Sequence, residues 1–165
     1  MQNTKTIESE FLSRIGRHQG ILHKICFVYS NSRADRDDLY QEIVLQLWKY
    51  YSSFKGESEF STWMYKVALN TAISLTQKPS LFTYSTDEKE IALDTEHSMD
   101  LNEEIQVLYK AISQLRKVEK AIVLLWLEER SYEEIADTIG ITVKSVSVKL
   151  VRVKAKLAEI IKKLQ

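Results

Sequence analysis

Only four glycines and one proline occur among 165 residues, so this chain has few of the residues that make hairpins, phosphate-cradling loops or tight β-turns. Leu, Ile, Glu and Lys, which propagate helices, are plentiful. An all-α fold is the expectation. At this length the chain fits one ordinary domain or two small helical ones, each with a modest core. Cys26 is the single cysteine, so no internal disulfide forms, and no Cys/His cluster has the spacing of a zinc site. The longest purely apolar run, residues 121–127, is far short of the roughly 18–20 residues a membrane span requires, and the N-terminus lacks a signal peptide's apolar stretch. These features predict a cytoplasmic protein without membrane insertion and without a metal or other cofactor.

The formal charge is zero, with 23 Lys+Arg against 23 Asp+Glu, but steering depends on local charge and not on the sum. Residues 1–86 hold ten basic and eight acidic side chains, residues 87–104 one and eight, and residues 105–165 twelve and seven. The acidic middle lacks sustained apolar periodicity and follows Pro79, so residues 79–100 read as a flexible linker. It is either a solvated spacer or a mimic of nucleic acid on a basic surface. Two small helical domains, 1–78 and 101–165, flank it.

In the first domain, periodicity predicts four helices. Two short ones cover about 6–17 and 20–30, with Phe11, Leu12, Ile15, Ile21, Leu22, Ile25 and Cys26 inward. A third starts at a candidate N-cap, Asp35, carries Leu39, Ile43 and Leu47 every four residues, and ends near Tyr51. A turn around Gly56 leads to a fourth, capped by Ser58, with Phe60, Trp63, Met64, Val67 and Ala68 as its inner face. Seven aromatic residues fall between Trp48 and Tyr65. Trp48, Phe60 and Trp63 have core-facing spacing. Tyr50, Tyr51 and Phe54 look surplus to a core and lie near Lys49, Lys55 and Lys66, a mixture suited to stacking unpaired bases beside a phosphate backbone. Core filling and base contact both remain open for this group.

The second domain opens with a helix from Leu101, capped by Asp100, that carries Ile105, Leu108, Ile112 and Leu115 on one face; another covers about 118–128. Ser131 and Glu134 then form a capping box before Ile135, Ala136 and Ile139, Gly140 ends that helix, and a new one starts after Thr142. Helix, short glycine turn and helix is the pattern of a DNA-reading helix-turn-helix. From Gly140 onward there are seven basic residues and one acidic. Val146, Leu150, Val153 and Leu157 must face the core, leaving Ser145, Lys149, Arg152 and Lys156 as an outward stripe suited to phosphates more than to base reading.

Two segments, DRDDLYQEIVLQLWKYYSSFKGESEFSTWMYKVALNTA and LEERSYEEIADTIGITVKSVSVKLVRVKAKL, resemble the two blocks of bacterial sigma factors of the extracytoplasmic-function (ECF) group, in the same order and across nearly the whole chain. The resemblance implies a factor that joins core RNA polymerase and directs promoter recognition, melting and transcription initiation. It implies that the helix bearing Asp38, Leu39, Gln41 and Glu42, followed by Leu45 and Trp48, binds the clamp helices of the β′ subunit, and that the second domain meets the β flap. It assigns the minus-ten element to Tyr51, Phe54, Lys55, Phe60, Thr62, Trp63, Lys66 and Asn70, with residues 52–58 as the loop that receives a flipped-out base. It assigns the minus-thirty-five element to Thr142, Lys144, Ser145, Ser147, Lys149, Arg152 and Lys156. An anti-sigma factor is the implied regulator. The chain departs from the family after Asn70, where arginines usually follow, and in the last block, where Ser147, Val148 and Lys149 replace a common Lys-Ser-Arg and Val151 a frequent histidine.

Two other classes compete. A one-component helix-turn-helix regulator would bind DNA without polymerase. An enzyme would need a site, and the nearest cluster, His18, His23 and Cys26, places His18 some 140° around the helix from His23. No nucleophile elbow or glycine-rich phosphate loop is present, so the chain is read as a non-enzyme.

Overall fold

The computed structural model describes residues 2–76 and 102–165. The linker assigned to residues 79–100, and the cap assigned to Asp100, lie outside these. The described residues form eight α-helices, one 3-10 turn and no strand: α1 (Gln2–Arg17), α2 (Gln19–Tyr29), α3 (Arg33–Tyr50), the 3-10 turn Tyr51–Ser53, α4 (Phe60–Thr76), α5 (Glu103–Ser113), α6 (Lys117–Leu127), α7 (Tyr132–Ile139) and α8 (Val143–Leu164). The all-α expectation holds.

Local sequence sets most helix starts. Ser131 and Glu134 satisfy each other's backbone N–H groups at the start of α7, at 3.1 and 3.3 Å, and the Thr142 hydroxyl accepts from the Ser145 N–H at 3.1 Å to begin α8. Gly140 ends α7 at φ 81°, where a side chain would be strained. Three caps differ from expectation. Ser32, not Asp35, caps α3, accepting from the Asp35 N–H at 3.1 Å. Ser58 makes no cap, its hydroxyl meeting the Glu59 carbonyl. Asn102 caps α5, accepting from the Glu104 N–H at 3.3 Å. For α3 and α5 a better-placed short polar side chain, Ser32 or Asn102, stands three or two residues before the N–H it caps.

The inner faces are narrower than periodicity suggested. Phe11 and Ile15 are buried on α1, but Leu12, 100° away, is exposed. On α4 the buried residues are Met64, Tyr65, Ala68, Leu69 and Ala72, while Phe60, Trp63 and Val67 stay half-buried. Trp48 is 40% exposed, and Ile105 also faces outward. The core turns toward Tyr65 because α4 is covered from two sides, by α2 and α3 on one and by α6 and α7 on the other.

The two halves share one continuous core. α2 is apolar around most of its circumference, burying Leu22, Ile25, Cys26, Val28 and Tyr29, because it packs at once on α3, α4 and α5. Polar contacts stitch the same boundary. The Tyr29 hydroxyl donates to the Lys117 carbonyl at 2.6 Å, the Lys117 ammonium donates to the Thr76 carbonyl, and Lys24 pairs with Glu128 at 3.2 Å.

Candidate nucleic-acid interface

α3 presents two opposed faces. Leu39, Ile43 and Leu47 are buried, so Leu39 supports the surface from beneath and cannot meet a partner through its side chain. Asp38, Gln41, Leu45 and Trp48, spaced three, four and three apart, are exposed on the other side. Glu42 is half-buried and accepts from the Gln46 amide at 3.1 Å. Leu45, 60% exposed, and Trp48 put apolar area on an otherwise polar face.

The aromatic surplus forms one cluster at the end of α3. Phe54 lies 5.3 Å from Trp63 and 5.5 Å from Phe60, Phe60 and Trp63 are 5.4 Å apart, and Tyr51 reaches both at 6.3–6.4 Å. Such tilted and edge-on pairs each add to stability beyond their buried area. Phe11 of α1 closes the far side against Trp48 and Tyr51, each at 5.0 Å. Arg14, which no local motif singles out, places its guanidinium 5.6 Å from the Phe54 and Phe60 rings while pairing with Glu10 at 2.8 Å. Glu10 also accepts from the Tyr51 hydroxyl, whose pKa burial pushes up. A cleft of about 780 Å³ opens here, lined by Arg14, Trp48, Lys49, Tyr51, Phe54 and Lys55 among others. Its walls combine ring faces with cations, the two features that hold unpaired bases and their phosphates.

The other minus-ten candidates face elsewhere. Thr62, Lys66 and Asn70 lie along the side of α4 that meets the helix-turn-helix half. Arg130 donates to the Thr62 hydroxyl at 3.0 Å, Lys66 stands 3.8 Å from Asp137, and Asn70 donates to the Thr138 carbonyl at 3.4 Å. Arg130, Asp137 and Thr138 are partners that no local sequence signal could reveal, since each is 68 or more residues away.

α7 and α8 make the expected helix-turn-helix, with Ile135, Ala136 and Val146 buried between them. Lys144, Lys149 and Arg152 are exposed on α8, and Ser145 and Ser147 are half-buried beside them. Lys156 is drawn aside: it pairs with Glu119 of α6 at 3.2 Å. Burial alone would raise the Glu119 pKa, but the Arg116 N–H and this ammonium outweigh it and hold the carboxyl below its ordinary value. Lys154 lies 4.4 Å over the Trp126 ring.

The proposed enzyme cluster does not assemble as one. Cys26 is fully buried, which pushes its thiol up to about 12, and His23 stacks on Tyr40. Among the described residues no group of three His, Cys, Asp or Glu is placed to hold a metal ion, and no helix is long and apolar enough to cross a membrane.

Comparison with known proteins decides the family. Residues 14–78 match Sigma-70 region 2, and residues 105–157 match Sigma-70, region 4. The chain belongs to the ECF group of sigma-70 factors. Among its relatives, the ECF RNA polymerase sigma-E factor of Haemophilus influenzae is 29% identical over 137 residues, covering 73% of this chain and 71% of that one. The sigma-E factor of Escherichia coli K12 is 28% identical over 146 residues, covering 79% and 76%. Two solved structures share the fold at 20% identity: the sigma factor RpoE in complex with the anti-sigma factor NepR from Bartonella quintana (TM-score 0.69, 93% of this chain and 97% of that one) and CnrH in complex with the cytosolic domain of CnrY (TM-score 0.65, 94% and 90%). As a sigma factor, this chain acts in transcription initiation and is not an enzyme.

Proposed function

We propose the following division of labour for this ECF sigma factor. Residues 1–78 bind core RNA polymerase and open the minus-ten element, residues 101–165 bind the minus-thirty-five element and the β flap, and residues 79–100 join them. The exposed face of α3, with Asp38, Gln41, Glu42, Leu45 and Trp48 over the buried Leu39, docks on the β′ clamp helices; its apolar Leu45 and Trp48 amid carboxylates and amides suit a protein partner. The cationic aromatic cleft lined by Tyr51, Phe54 and Lys55, with Phe60 and Trp63 packed against its rings, receives a flipped-out base, with capture taking the place of ATP in melting. Thr142, Lys144, Ser145, Ser147, Lys149 and Arg152 enter the upstream major groove. The protein works in the cytoplasm, where its polymerase is, under an anti-sigma factor such as those that accompany its structural neighbours.

The observation that carries this reading is the position of Thr62, Lys66 and Asn70 against Arg130, Asp137 and Thr138. With the two halves docked, these minus-ten residues are turned to the helix-turn-helix half, which competes with DNA for them, so the free chain binds promoters weakly and the halves part on polymerase. A one-component regulator has no need of such masking. The test is binding to core RNA polymerase: Asp38→Ala with Gln41→Ala should weaken it at least tenfold with helical content unchanged, and unaltered affinity would remove α3 as the docking face.

A further inference from the structure

α8 turns a second apolar stripe away from the core. Val146, Leu150, Val153 and Leu157 are buried, and two residues before each come Lys144, Val148, Val151 and Ala155, about 200° around the helix and so facing nearly the opposite way. Val151 is 69% exposed and Val148 44%. β-branched side chains lower helix propensity, so neither valine helps α8 to form, and the fold covers neither. Around them stand Lys144, Lys149 and Arg152, all exposed, and α8 carries no carboxylate before Glu159.

We infer that Val148 and Val151 read thymine, through its 5-methyl group, in the upstream promoter element. This rests on the reading of α8 as the helix that enters the major groove. An isopropyl group offers neither donor nor acceptor, so it is blind to the hydrogen-bonding code of the groove floor. Thymine alone among the bases presents a methyl group there. Lys149 and Arg152 lie about 100° to one side of this stripe and Lys144 at its N-terminal end, where a groove wall places phosphates. The two valines are three residues apart, about 4.5 Å along the helix axis, and therefore address neighbouring base pairs. A protein partner would also cover two valines, but a patch flanked by cations, on a helix with no carboxylate before Glu159, matches a polyanion.

Deoxyuridine in place of thymidine removes the methyl and leaves every hydrogen-bonding group intact. The probe is a promoter fragment recovered by run-off transcription from genomic DNA, with uracil placed at each thymine of the upstream protected element in turn and bound by holoenzyme carrying this chain. Binding should weaken about fourfold at one or two of these positions, the ratio for one buried methyl. That dependence should disappear from Val148→Ala or Val151→Ala holoenzyme; both sites are exposed and alanine is the better helix former, so the variants fold. Lys149→Ala with Arg152→Ala separates the two levels. If that variant leaves upstream protection and its salt dependence untouched, the placement of α8 in the groove fails, and the inference with it. If it weakens upstream binding while no thymine shows methyl dependence, or the dependence survives both valine substitutions, only the inference is overturned. A valine variant that loses core polymerase while its methyl dependence persists would assign the stripe to a protein surface and overturn it as well.

Discussion

The side-chain amide of Asn70 in α4 donates to the backbone carbonyl of Thr138 in α7, 3.4 Å away, and so ties the helix assigned to the minus-ten element to the first helix of the helix-turn-helix pair. Arg130 to Thr62 and Lys66 to Asp137 run beside it. The Lys66 pair is largely solvent-exposed and contributes little; the charged Arg130 donor at 3.0 Å is the stronger of the two.

Loosening this contact should unmask DNA binding. Arg130→Ala with Asp137→Ala removes about 1 kcal/mol from docking, so the free chain should bind a promoter fragment up to about fivefold more tightly. Holoenzyme affinity, measured on the same fragment, should stay the same because the halves are already apart there. Equal free-chain affinity for variant and parent would contradict the masking.

The turn of the helix-turn-helix depends on a left-handed residue. Gly140→Ala should destabilise the chain by about 1–2 kcal/mol in urea unfolding, since an L side chain is strained at φ 81° even though open space surrounds the position. Gly140→Asn should cost less, asparagine being the residue next best suited to that conformation.

A half-buried lysine gives the fold a pH signature. Lys120 sits 5.1 Å from the Tyr29 ring, and burial, with help from Lys117, pulls its pKa from 10.5 down to about 8. Between those values the unfolded chain holds a proton that the folded chain has released, so this group makes stability rise as pH increases from about 8 to 10.5. Cys26, pushed up to about 12 by burial, acts in the opposite direction above its ordinary value of 9. The Lys120 contribution is therefore read as a difference: unfolding free energies of parent and Lys120→Met should converge as pH rises through this window. A constant gap would show that Lys120 keeps its ordinary pKa.

Legibility in the sequence followed the range of the interaction. The Ser131 and Glu134 box, the Gly140 stop and the Thr142 cap are set by residues within three positions of each other, and all were readable. Caps were misplaced where two short polar residues stood close together, as with Ser32 and Asp35. Apolar identity does not give direction: Leu12 is exposed because only one strip of α1 is covered, and Trp48, with core-facing spacing but on the implied polymerase face, shows one side to solvent while Phe11 packs on the other. The aromatic cluster was visible as composition, but Arg14 was not, because it arrives from α1 through tertiary packing. Least legible was the docking of the two halves. Charge partition pointed to two domains with a linker between, and nothing local announced that Tyr29 would reach Lys117 or Asn70 reach Thr138.

Transcription from a defined promoter tests the central claim most directly. Purified chain and core RNA polymerase, incubated with genomic fragments and then probed for unpaired thymines around the start site, should together give run-off transcripts from a small set of promoters and an open region that needs no ATP hydrolysis. Neither component should do so alone. Tight sequence-specific binding by the chain alone, with no transcript and no opening when core polymerase is added, would contradict the account.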